Sequence, residues 1–247
     1  MAKLDYMLIS YHSYETRKIL GLNENSPIDI EDVILNNSEY TLIYKPMSNN
    51  ISGLCIKEGN NKIIAVNSNF SKGRQKFTMA HELCHLYYHD DGIYICSSRI
   101  GDDKLNDYEK EADLFASLFL APNSAFYSDY MMLYNTQSDI EHICIKLEQK
   151  YGLSHMATLI RLKINKLISD KEFNRLQMSP IKLASSLGYS TELFLPTKKN
   201  TTMGRYISLA KELLDKDKIS INKYESLLLD GNRQDLLDGD DQYGGID

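Results

Sequence analysis

The chain reads as an α+β protein. A small antiparallel sheet packs on one helix that carries a cluster of histidines, and an all-helical C-terminal region follows. Three observations predict this. Short runs rich in Ile, Val, Tyr and Thr occupy residues 40–69. Apolar residues at helical spacing dominate almost everything after residue 70. Between these two halves lies "FTMAHELCHLYYHD", which places three of the chain's six histidines one helical turn apart.

Composition sets the outer limits. A chain of 247 residues can bury a sizeable core. Its 43% hydrophobic and 25% charged content is that of a globular protein. A net charge of -6 argues against a general nucleic-acid binder, which carries a basic face. No run is long and apolar enough to span a membrane. "MAKLDYMLIS" lacks the basic start, apolar core and cleavage site of a signal peptide. The four cysteines, Cys55, Cys84, Cys96 and Cys144, form no C-x-x-C pair. They read as buried free thiols in a reducing, cytoplasmic compartment.

The elements follow in order. "MLISYHSYETRKIL" has helical spacing. In "SPIDIEDVILNN", Ser26 and Pro27 predict a short helix with proline at its first position. "YTLIYKPM", "ISGLCIKEG" and "NKIIAVNSN" predict three strands separated by the turn residues "SNN" and "GNN". A helix over 71–88 comes next, with Phe77, Ala80, Cys84 and Tyr88 on one face. "DYEKEADLFASLFLAP" is a second strong helix, stopped by Pro122. "SDIEHICIKLEQKYG" and "LSHMATLIRLKINKLI" have the shape of a helix-turn-helix. "GRYISLAKELLDKD" and "NKYESLLLD" are helical, and the acidic, Gly-rich end "GDDQYGGID" reads as disordered. This divides the chain at 1–128, 129–180 and 181–247.

His81 and His85 are four residues apart, so on a helix both imidazoles lie on one side and can bind one ion. Glu82 is rotated about 100° from His81, out of the ligand pair but within reach of a reacting water. This is the H-E-x-x-H arrangement, with zinc as the expected metal and Glu82 as general base. A third ligand is required. His89 is two turns from His81, about 12 Å along the axis, so a rigid helix cannot bring all three imidazoles to one ion. The acids of "YEKEAD" serve better. Glu109 and Asp113 share a face with Ala112 and Ala116, whose small side chains allow close helix approach. Glu109 can then reach the metal while Asp113 hydrogen-bonds a ligand histidine from behind. Glu111 is the alternative, expected to point instead towards Leu114, Phe115 and Leu118.

"FTMAHELCH" followed by "EKEADLFASLFLAP" resembles the ImmA/IrrE family of zinc metallopeptidases. The resemblance extends upstream to "ISGLCIKEGNNKIIAVN" and downstream over "IKLEQKYGLSHMATLIRLKINKLI", about two thirds of the chain. Leu120-Ala121 departs from the leucine-methionine usual before the proline. The resemblance implies a zincin-type fold, with zinc held by His81, His85 and Glu109 and with Glu82 as general base. Proteins resembling this one commonly cleave or antagonise a helix-turn-helix repressor. The function expected is therefore site-specific cleavage of such a repressor, or of an antitoxin partner, that relieves repression. The alternative is a non-proteolytic regulator that sequesters the repressor on a zincin scaffold.

Tyr87, Tyr88, His89, Tyr94, Tyr108 and Arg161 remain open as oxyanion donors. "ISGLCIKE" is the expected edge strand for an extended peptide, with Gly53 allowing close approach. In the helix-turn-helix segment, the apolar stripe Met156, Leu159, Ile160, Ile164 and Leu167 leaves few side chains to read bases. Specific DNA binding is not expected.

Overall fold

A computed structural model describes residues 5–97, 107–136 and 139–237. The expected disordered end at 239–247 lies outside them. The chain begins with helices α1 (Tyr6–Ile19) and α2 (Ile30–Leu35). Strands β1 (Tyr40–Lys45), β2 (Ile51–Glu58) and β3 (Asn61–Asn67) lead into α3 (Lys72–Tyr88), β4 (Gly92–Ser97) and α4 (Asp107–Leu120). Helices α5 (Asn123–Thr136), α6 (Ile140–Tyr151), α7 (His155–Ile164), α8 (Asp170–Leu176) and α9 (Pro180–Ser186) follow. Strand β5 (Thr201–Gly204) and helices α10 (Arg205–Asp215) and α11 (Ile221–Asp230) complete the order. The class is α+β.

The sheet has the order β4-β2-β3-β1-β5 and is mixed, not wholly antiparallel. β2 and β3 form the expected hairpin, but β3 inserts between β2 and β1 and runs parallel to β1. The buried Asn67 side chain explains how. Its Oδ1 accepts from the Met47 amide at 3.0 Å, and its Nδ2 donates to the Ser48 and Ile51 carbonyls at 2.9 and 2.8 Å. These bonds hold the segment after β1 across the end of β3. "SNN" is therefore part of a crossover and not a tight hairpin turn.

Two further differences concern strands. β2 is interior, between β4 and β3, so among the described residues the edges are β4 and β5. The C-terminal region, helical elsewhere, contributes β5, where Thr201 and Thr202 pair with Tyr44 and Ile43 of β1. Gly204 ends that strand at φ +81°, and a Cβ there would lie 2.4 Å from the Tyr40 carbonyl. The α2 start also shifts. Asp29, not Ser26, caps the helix by accepting from the Glu31 amide at 3.1 Å.

One apolar cluster runs from Ile9 to Leu176. α3 lies at its centre, against β2, β3 and α4, and every residue from Phe77 to Leu86 is buried. Ser71 caps its start through the Arg74 amide. Ala112 and Ala116 of α4 are fully buried. α1 packs along α4 and is tied there by Arg17, 1% exposed, which donates to the carbonyls of Phe119, Asn23 and Ser26. No helix among the described residues is long and apolar enough to cross a membrane.

Arg17→Ala leaves the buried Phe119 carbonyl without this donor, at about 1–3 kcal/mol when no water reaches it, and also removes the guanidinium's bonds to the partly exposed Asn23 and Ser26 carbonyls. The expected outcome is a loss of roughly 2–5 kcal/mol in urea unfolding, with an unchanged far-ultraviolet spectrum at low urea.

Candidate metal centre

The helical repeat of α3 brings His81 and His85 together, with their Nε2 atoms 3.2 Å apart. α4 lies across them and contributes Glu109, whose Oε2 is 3.5 Å from His81 Nε2 and whose Oε1 is 3.4 Å from His85 Nε2. Cys96 of β4 supplies a fourth atom, its Sγ 3.6 Å from His85 Nε2. These four ligand atoms all lie within 4.8 Å of one another.

Each imidazole is oriented from behind. His81 Nδ1 donates to Asp113 Oδ1 at 2.9 Å, which leaves Nε2 facing the cluster. His85 and His89 approach through their Nδ1 atoms at 2.7 Å, so one of the two carries the proton. With His85 Nε2 facing the cluster, the arrangement that satisfies both rings has His85 Nδ1–H donating and His89 accepting. Glu111 is not in the cluster and turns to His89. Its Oε2 is 3.5 Å from His89 Nε2. Tyr94 stacks on the His85 ring at 4.6 Å and closes its other face.

The electrostatics follow from burial among opposed charges. Burial opposes protonation of His81, but Asp113, Glu109 and Glu82 outweigh it and push its pKa up to about 10. Burial would raise the Glu109 pKa, yet contact with His81 and His85 lowers it to about 2. His85 goes down, chiefly through burial. The cluster thus offers an ionised carboxylate against imidazole nitrogens, a donor set suited to a divalent cation.

Glu82 is fully buried, and neither carboxylate oxygen has a hydrogen-bond partner. Burial pushes its pKa up to about 7, against the pull of His81. Gly53 of β2 makes room for it, since a Cβ there would meet Glu82 Oε1 at 3.1 Å and the Ala65 carbonyl at 2.7 Å. The glycine admits α3, not a bound peptide as the sequence suggested.

The six open donors separate clearly. Tyr88 bonds Thr16 and the His12 carbonyl at 2.7 and 2.9 Å, on the α1 side. Arg161 is buried, donates to the Ser117 carbonyl and covers the Phe126 ring at 4.3 Å. Tyr87 lies near Lys62 and Tyr40. His89 is buried behind His85. Tyr94 and Tyr108 flank the cluster. Tyr108 is 55% exposed, with its ring 4.5 Å from His89. Sequence reasoning missed Cys96. The alternation in "GIYICS", which puts Tyr94 and Cys96 on one face of a strand, was the available signal.

A sheet-backed helix bearing two histidines and a buried acid, crossed by a second helix with an opposed carboxylate, defines a metallopeptidase-type centre. Residues 39–163 match the model of the peptidase family described as the IrrE N-terminal-like domain. The chain belongs to that family. A comparison with curated proteins returned no match.

Two metal measurements test the cluster. The protein is expected to bind one divalent metal per chain, and His85→Ala to lose it; equal metal in both would refute the site. Asp113→Ala, which frees the His81 ring, should weaken metal binding by roughly 10–100-fold in a chelator titration.

Proposed function

We propose that the chain is a zinc-dependent endopeptidase that cuts a protein substrate at a specific bond. The observation that carries this is Glu82, a fully buried carboxylate without a hydrogen-bond partner beside a metal-ligand cluster. An unsatisfied buried carboxylate is costly in a merely structural role. The two imidazole nitrogens, 3.2 Å apart, face the Glu109 carboxylate, with Oε1 3.4 Å from His85 Nε2 and Oε2 3.5 Å from His81 Nε2, a spacing suited to zinc. Tetrahedral bonds of about 2.0–2.1 Å place neighbouring donors roughly 3.3 Å apart. Those three residues would hold the ion, with Asp113 fixing His81 and His89 fixing His85. When bound there, zinc supplies Lewis acidity, which acidifies water and polarises a carbonyl.

The chain's own residues supply the rest. Glu82, with its pKa near 7, takes the proton of the attacking water and returns it to the leaving amine. Gly53 fixes the depth at which that carboxylate sits. The edge strand β4 pairs with β2 on one side and carries Ile93 and Ile95 exposed at 67% and 62%. An extended peptide can add there as a further strand.

The substrate we take to be a helix-turn-helix repressor or an antitoxin, cut so that repression is relieved, and the compartment to be the cytoplasm. This part rests on the resemblance stated above. α7 is committed to the fold: Arg161 is buried against α4 and α5, and Lys163 pairs with Asp170 at 2.9 Å. The full chain is therefore expected to give no salt-resistant, sequence-dependent shift of DNA, and such a shift would refute this assignment.

Glu82→Gln tests the catalytic reading. The amide keeps the shape but cannot accept the proton, so cleavage should fall about 10²–10⁴-fold with metal content unchanged. Co-expression with a repressor encoded beside the chain supplies the assay, read by gel and by reporter. An intact repressor that the variant inactivates as well as wild type does would instead support the sequestering scaffold.

A further inference from the structure

We propose that Cys96 is a fourth zinc ligand, so that the resting centre is closed by its thiolate and chemistry requires this sulfur to leave. The proposal rests on the zinc reading above and assigns the fourth coordination position within it.

The geometry carries it. In a tetrahedral zinc site with bonds of about 2.0–2.1 Å to nitrogen and 2.3 Å to sulfur, nitrogen and sulfur corners stand roughly 3.6 Å apart. Cys96 Sγ is 3.6 Å from His85 Nε2 and 3.9 Å from Glu109 Oε1. With Glu109 Oε1 as the carboxylate corner, the His81–His85, His85–Glu109 and Cys96–His85 edges of 3.2, 3.4 and 3.6 Å have the lengths zinc requires, and the Cys96–Glu109 edge of 3.9 Å is slightly longer. The edge between Cys96 and His81 is under 4.8 Å.

Local structure delivers the thiol to that corner. Along β4, Ile93 and Ile95 face outward while Cys96 is 2% exposed, as strand alternation dictates. The register between β2 and β4 shifts between Ile51 and Gly53, which sets Cys96 opposite Gly53. No side chain on that partner stands between the sulfur and the cluster. The surroundings also differ from those of a cysteine used as apolar filler. The sulfur lies among an imidazole nitrogen and a carboxylate oxygen, close to the buried Glu82 carboxylate.

Without a cation, electrostatics favour the thiol: burial and the Glu82 and Glu109 carboxylates push the Cys96 pKa far up. Ionisation of the sulfur therefore depends on the divalent ion itself, since a thiol loses its proton when it coordinates one. Four protein ligands close a zinc site, whereas catalysis needs one open position. Among the described residues β4 is an edge strand, bonded on one side to β2, so a shift of β4 would open the position.

The test uses the full chain purified under reducing conditions. X-ray absorption of the zinc form should show one sulfur at about 2.3 Å. The cobalt(II) form should show a near-ultraviolet thiolate-to-metal charge-transfer band. That band should persist in Cys55→Ser and Cys84→Ser and be lost in Cys96→Ser, with one cobalt per chain retained. Cys96→Ala should cleave the co-expressed repressor faster than wild type. Full metal loading without a sulfur ligand overturns the proposal and leaves the zinc reading standing. So does a charge-transfer band that survives in Cys96→Ser. Failure of wild type to bind stoichiometric zinc or cobalt overturns the zinc reading and this proposal together. A sulfur ligand without faster cleavage by Cys96→Ala keeps the ligation but overturns the latency.

Discussion

α3 is buried on all sides from Phe77 to Leu86, and that stretch contains two imidazoles and a carboxylate. Ionisable groups in such a place must find partners or change protonation state. Most of the surrounding architecture answers this demand. α4 brings Asp113 and Glu109 to His81, and Glu109 again to His85. The end of α3 supplies His89 behind His85, and α4 supplies Glu111 behind His89. The result is a line of polar contacts through the core that fixes two Nε2 atoms in one direction. The two helices approach closely because Ala112 and Ala116 occupy the contact. A larger side chain there would overpack the contact and part the imidazoles from their carboxylates.

Glu82, like His89 Nε2, has no hydrogen-bond partner, and its burial has a structural cause. The sheet side of α3 meets β2 at Gly53, where even a methyl group would clash with Thr78 at 2.5 Å and the Ala65 carbonyl at 2.7 Å. The close fit buries the carboxylate against the sheet, with the Cys55 and Cys96 thiols beside it. Desolvation then raises the pKa to about 7, where a carboxylate can both take and give a proton near neutrality. The same glycine that lets helix and sheet meet therefore tunes the acid.

Much of this was legible in the sequence because it depends on helical spacing. His81 and His85 at i and i+4, and Glu109 and Asp113 at i and i+4, share faces whatever the surrounding fold. The distance argument likewise kept His89 away from the metal-facing atoms, and the structure places it behind His85. Contacts made across the sheet were not legible. β1 and β3 are parallel because Asn67 holds a crossover, and one buried asparagine has no period to read. β5 lies more than 150 residues from its partner strand, and four residues are too few for a pattern. Cys96 was invisible as a possible ligand because its spacing to His81, His85 and Glu109 follows no single element. It reaches them through the bend between α3 and β4.

β4 brings three roles into one short strand. Its outward residues, Ile93 and Ile95, present an apolar edge to which an extended chain can pair. Its inward residues are Tyr94, stacked on a histidine of the cluster, and Cys96, within ligand distance of the same histidine. Inward and outward side chains on a strand cannot move independently, because the backbone that carries them is continuous. On the reading proposed above, a peptide added to the outer edge of β4 would bind the same strand that presents the sulfur. Substrate docking and release of the fourth ligand would then be linked through one short element, with no distant signal site.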